Sequence, residues 1–118
     1  MTNHFWRYWF PVLLWAMLIF TVSSVSDFPA SVEQLWSFDE LLHAAEYGVL
    51  AFLLARALKN SQKDQLKHNF RFLAVLFAVL YAASDELHQS VVPLRSASIV
   101  DFIFDGIGAV LGQMFFRE

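Results

Sequence analysis

The chain has 118 residues, of which 58% are hydrophobic, 17% aromatic and only 16% charged, with a mean hydropathy of +0.49. A soluble domain carries about 45–50% apolar and about 25% charged residues, so this composition excludes an ordinary water-soluble domain, and its aromatic content excludes a disordered chain. The absence of Cys removes disulfides, thiolate metal sites and cysteine nucleophiles together, and eight Lys and Arg against 11 Asp and Glu leave no basic stripe for nucleic acid.

At roughly 20 residues per crossing, the length suits four membrane spans. The expected fold is an all-α integral membrane four-helix bundle, a single domain over 1–118 with spans at about 8–25, 39–58, 70–89 and 99–116. The first apolar stretch, Tyr8 to Val25, follows Arg7 and the aromatic residues Phe5, Trp6, Tyr8 and Trp9, which suits a helix entering through an interfacial belt. A cleaved signal peptide ending near Val22-Ser23-Ser24 is the competing reading, weakened by a charged region of one Arg. In the loop Ser26 to Phe38, Pro29 opens a short interfacial segment with Val32, Leu35 and Trp36 at helical spacing.

The second span carries Asp39, Glu40, His43 and Glu46 in its first half and is then apolar from Tyr47 to Ala55 apart from Tyr47 itself. Arg56 to Arg71 reads as a loop holding Lys59, Lys63 and Lys67. The third span is apolar from Phe72 to Ala83 and ends in Ser84, Asp85, Glu86, His88 and Gln89, before Val91-Val92-Pro93 stops it. A loop with Arg95, Ser96 and Ser98 leads to the last span, whose first half carries Asp101 and Asp105. Of the eight Lys and Arg, seven lie at the N-terminus, in the central loop and at the C-terminus, and only Arg95 lies in the other two loops. By the positive-inside rule both termini are expected in the cytoplasm, with the chain in the cytoplasmic (inner) membrane.

That orientation puts three polar segments at one level on the outer side. At 100° per residue, Asp39, His43, Glu46 and Tyr47 share one face of the second span, and Asp85, His88 and Gln89 share one face of the third, with Glu86 beside Gln89. Ser98, Asp101, Asp105, Gly108 and Gly112 form one stripe on the fourth, and the glycines would let another helix approach closely. At 1.5 Å per residue, Glu46 and Asp105 sit about 9–11 Å inside their helix ends. Carboxylates left in lipid at mid-helix would cost about 2.5–3.5 kcal/mol each, so these groups are expected to line a wetted pocket. Five acids against Arg95 require either that some carboxyls hold protons or that a cation is bound, and carboxylates with two imidazoles suit Mg²⁺ or Mn²⁺ ahead of Zn²⁺. Asp39 and Glu40 read instead as rim residues solvated at headgroup level. For His43 and His88, the alternative to a ligand or acid–base role is an interfacial histidine paired with the carboxylates at i+3 and i−3.

His43-x-x-Glu46-Tyr47, then Ser84-Asp85-Glu86-x-His88-Gln89, then Val92-Pro93-x-Arg95-Ser96-x-Ser98-x-x-Asp101-x-x-x-Asp105-x-x-Gly108-x-x-x-Gly112 closely resembles the VanZ-like family of small polytopic membrane proteins. The resemblance covers about Leu41 to Gly112. Leu94 stands where that loop often has Gly, and Asp105 where Asn is common. The resemblance implies a link, in some members, to teicoplanin-type glycopeptide tolerance.

Three functions are compatible with these residues. One is a pocket that binds a lipid headgroup or a lipid-linked envelope precursor. A second is a metal-assisted hydrolase or transferase acting on a lipid-linked phosphate. It would use His43, Glu46, Asp85 and His88 in catalysis, Tyr47, Glu86, Gln89, Arg95 and Ser98 for substrate, and Glu46, Asp85, Asp101 and Asp105 for the metal. A third is a small proton-coupled exporter with Glu46 as coupling acid, disfavoured by the strong Lys and Arg bias.

Overall fold

The structure is a computed structural model that describes residues 4–24, 39–91 and 99–116. All the regular structure among them is helical. A π-helical turn, Phe5–Trp9, runs directly into α1, Phe10–Ser24; α2 is Asp39–Lys59, α3 Asp64–His68, α4 Phe70–Gln89 and α5 Ile99–Met114. The interfacial segment expected after Pro29 lies outside the described residues.

Two helices, Phe5–Ser24 and Leu41–Lys59, are long and apolar enough to cross a membrane. The α4 helix is 20 residues long, but Arg71 near its start and Asp85 and Glu86 near its end dilute its apolar run. The α5 helix has 16 residues and carries Asp101 and Asp105. The outward surface is apolar on every long helix: Leu13, Met17 and Phe20 on α1, Leu41 on α2, Phe72 and Leu80 on α4, and Ile103 and Leu111 on α5 are all exposed. In water such a surface would drive aggregation; against hydrocarbon it is the expected exterior.

The most extensive helix contact is between α2 and α5, and it is made backbone to backbone. A Cβ built on Gly108 would overlap the backbone of Ala44, and one on Gly112 would overlap that of Gly48. Between lipid-facing helices there is little hydrophobic drive, so close van der Waals packing across small residues holds the pair. The α4 helix uses the same device, burying Phe70, Ala74, Ala78 and Ala82 at a spacing of four. The α1 helix is more peripheral and buries only Val12, Ile19 and Ser23.

Polar backbone at the helix ends is satisfied by side chains. Pro11 has no N–H to give the Arg7 carbonyl one α-helical turn earlier, and Nη1 of Arg56 donates to that oxygen at 2.9 Å. Beside it the ladder widens to π-register, with the Phe10 amide bonded to the Phe5 carbonyl. At the end of α5, Arg71 donates to the carbonyls of Gln113 at 2.7 Å and Phe116 at 3.1 Å. A guanidinium at a helix C-terminus satisfies orphan carbonyls and suits the negative end of the macrodipole.

The loop expected from Arg56 to Arg71 is shorter than the sequence suggested. The α2 helix runs on through Lys59, α4 starts at Phe70, and between them α3 forms a single turn and a half. Asp64 at its start and Lys67 and His68 at its end complement its dipole, a local signal that the lysine spacing concealed.

Gly108→Ala and Gly112→Leu are expected to destabilise the detergent-solubilised protein, Gly108→Ala on the order of 1–3 kcal/mol and Gly112→Leu more, because a rigid backbone must move. Gly106→Ala, whose Cβ meets nothing within 4 Å, is the tolerated control. Equal thermal stability of all three variants would contradict the packing account.

Candidate functional site

The α2–α5 contact sets the geometry of the polar residues. His43 precedes Ala44 on α2, and Asp105 lies three residues before Gly108 on α5, so the close approach of the backbones brings these side chains together. His43 Nδ1 lies 2.8 Å from Asp105 Oδ1. As the carboxylate accepts, Nδ1 carries the proton, and Nε2 faces Oδ2 of Asp101 at 3.9 Å. Asp101 lies in the first turn of α5, where the positive end of the helix dipole favours an acid.

The third wall comes from α4. Its alanine stripe continues into Glu86 at the same spacing of four, and Asp85 and Gln89 flank that line and are buried with it. The Tyr47 hydroxyl, on the turn of α2 after His43, donates to Asp85 Oδ2 at 3.2 Å. Asp105 and Tyr47 are 0% exposed, Asp85 5% and His43 6%. Ligating atoms of His43, Glu86 and Asp105 all lie within 4.8 Å of one another. Asp85 Oδ1 and Asp105 Oδ2 are buried with no hydrogen-bond partner. A buried carboxylate oxygen without a donor is costly at low dielectric, so this centre is built to meet a proton or a cation.

One residue expected in the same pocket lies to one side of it. His88 is half-buried at the edge of α4 that meets α1, stacked on Phe20 with ring centroids 4.5 Å apart. Its Nε2 lies 2.8 Å from Ser24 Oγ, and because that hydroxyl already donates to the Phe20 carbonyl, the imidazole is the donor. The buried direction of α4 runs between Asp85 and Glu86, which turns His88 more than a quarter-turn away. Glu46 is half-buried on α2, and its backbone carbonyl accepts a 2.8 Å bond from Trp15 Nε1 of α1. Of the four carboxylates expected as metal ligands, Glu46, Asp85, Asp101 and Asp105, only Asp105 belongs to the close group, which His43 and Glu86 complete. Arg95 and Ser98 lie outside the described residues.

Sequence reasoning missed the contribution of the first helix. Trp15 and Tyr81 tie α1 to the site-bearing helices, Tyr81 donating to the Ala16 carbonyl at 2.5 Å with its ring 6.3 Å from that of Tyr47. The available signal was chemical: an indole N–H or phenol O–H inside an apolar run needs an acceptor.

Tyr47→Phe is expected to cost about 0.5–1.5 kcal/mol by removing a donor to a buried acid. Asp85→Asn, which keeps an acceptor and removes a charge, should hold or raise the melting temperature in detergent. A melting temperature for Asp85→Asn below that of Tyr47→Phe would show instead that the carboxylate is a structural anchor.

No curated protein and no solved structure matches the chain. The model of the VanZ/LLP1 family matches residues 3–117, nearly its whole length. The chain belongs to the VanZ-like family.

Proposed function

We propose that the protein is a multi-pass protein of the cytoplasmic (inner) membrane whose four long helices cross the bilayer with both termini inside, and that its acidic centre binds a lipid headgroup or a lipid-linked envelope component at the outer face. The observation that carries this reading is the convergence of His43, Tyr47, Asp85, Glu86, Asp101 and Asp105 from three helices onto one buried place. Ionisable groups at membrane depth are expensive and mark sites where something polar is handled.

The distribution of charge supports the orientation. Arg56, Lys59 and Arg71 lie at the opposite ends of the same helices from the acids, so each helix has one basic and one acidic end. Basic ends are retained in the cytoplasm, which leaves the acidic centre facing outward. Some members of the family are linked to glycopeptide tolerance of the teicoplanin type, which a site that changes how an envelope component is presented at the surface would account for.

Two measurements test this. A reporter fused after Glu118 should be active in its cytoplasmic form and silent in its exported form; the reverse overturns the topology. Expression in a Gram-positive host should raise the teicoplanin concentration needed to stop growth, and Asp105→Ala and Tyr47→Phe should remove that shift while remaining inserted. His88→Asn, at the α1 edge, should keep most of it. Full tolerance from the Asp105 and Tyr47 variants would place the function elsewhere on the molecule.

A further inference from the structure

The acidic centre holds three buried carboxylate oxygens without a hydrogen-bond partner, Asp85 Oδ1, Glu86 Oε1 and Asp105 Oδ2. Asp85, Glu86 and Asp105 are buried, Asp101 is half-buried, and the basic side chains of α2 and α4 lie at the far ends of those helices. Asp85 and Glu86 also sit in the last turn of α4, the negative end of its dipole, and both act electrostatically on Asp105. Yet these acids are drawn inward rather than splayed to the surface. Asp105, wholly buried, presents one oxygen to His43 and leaves the other, Oδ2, with no hydrogen-bond partner; Asp85 Oδ1 is in the same state.

We infer that this centre binds a divalent transition-metal ion through Asp105, Glu86 and His43, whose ring gives up to solvent the proton it shares with Asp105, with Asp101 nearby on α5. Two donors on one ion at about 2.0–2.2 Å stand at most about 4.4 Å apart. Donor atoms already within 4.8 Å of one another therefore close on an ion with small side-chain shifts. One imidazole with two carboxylates is a mixed nitrogen and oxygen set, which selects Mn²⁺ or Zn²⁺ over Mg²⁺, whose ligands are nearly all oxygen. The Tyr47 hydroxyl on Asp85 orients a neighbouring carboxylate, as groups around a metal site commonly do.

The inference uses the same residues as the headgroup reading and makes it more specific. An ion bound there offers a coordination position to a phosphate oxygen, which carboxylates alone would repel. The metal itself is measured without lipid, so the two readings fail separately.

The full chain is purified in detergent, stripped with chelator, dialysed, and titrated with MnCl₂, ZnCl₂ and MgCl₂. Bound metal is read by elemental analysis, and melting temperature is read in parallel. About one equivalent of Mn²⁺ or Zn²⁺ is expected to remain after dialysis, with a rise in melting temperature that chelator reverses. Glu86→Gln and His43→Asn should weaken binding by at least roughly 10–100-fold, while Glu46→Gln and His88→Asn bind as the unmodified chain does. Electron spin-echo spectroscopy of the Mn²⁺ form should show one imidazole nitrogen, a signature that holds even if His43→Asn fails to fold. Less than a tenth of an equivalent of all three metals with no change in melting temperature overturns the inference, as does loss of binding in Glu46→Gln or His88→Asn in place of Glu86→Gln. Metal binding that leaves tolerance to teicoplanin untouched would support the ion and count against the headgroup reading.

Discussion

The backbone contact between α2 and α5 is the constraint from which the remaining arrangement follows. Ala44 and Gly48 on one helix face Gly108 and Gly112 on the other so closely that a single methyl group would not fit. A contact that tight fixes both the separation and the register of the two helices, because a shift of one residue would bring a bulkier side chain into the gap. His43 and Asp105 stand beside this contact, and their 2.8 Å separation is a consequence of it. Packing and chemistry are therefore coupled: loosening the glycine seam would pull the histidine from its carboxylate before any site residue changed.

The two ends of the bundle solve the problem of polar atoms near lipid in different ways. At the basic end, Arg56 donates to the Arg7 carbonyl that Pro11 leaves without an α-helical partner, and Arg71 donates to the Gln113 and Phe116 carbonyls at the end of α5. The polar groups there are matched, and the charges reach outward. At the acidic end, acceptors outnumber donors. His43 and Tyr47 satisfy one oxygen each of Asp105 and Asp85, and the second oxygens remain buried without a donor. Buried acceptors of this kind are ones that a proton or a cation would satisfy.

The first helix acts as a brace for this centre. It buries little, but Trp15 and the Ala16 carbonyl take up hydrogen bonds from or to α2 and α4, and Ser24 and Phe20 hold His88. Those bonds tie α1 to α2 and α4, and His88 belongs to the wall that supports the site rather than to its floor.

The sequence by itself determined the all-helical, lipid-facing character of the protein and the membership of its family. These depend on composition, local periodicity and a spaced motif, all of which are written along one strand of chain. It also determined that acids, imidazoles and small residues lie on shared faces of their helices, and that Gly108 and Gly112 pack closely. Only the tertiary structure decided which members of each face meet. A helical wheel fixes angles within a helix but not the direction of the neighbour, so His88 looked equivalent to Glu86 until α1 was seen to meet its edge of α4. The short α3 turn and the donors from Trp15 and Tyr81 were hidden for the same reason, since a hydrogen bond between residues 31 or 65 positions apart has no local trace in sequence. The order of residues specifies what each helix can offer, and the packing of the backbones selects which offers are taken up.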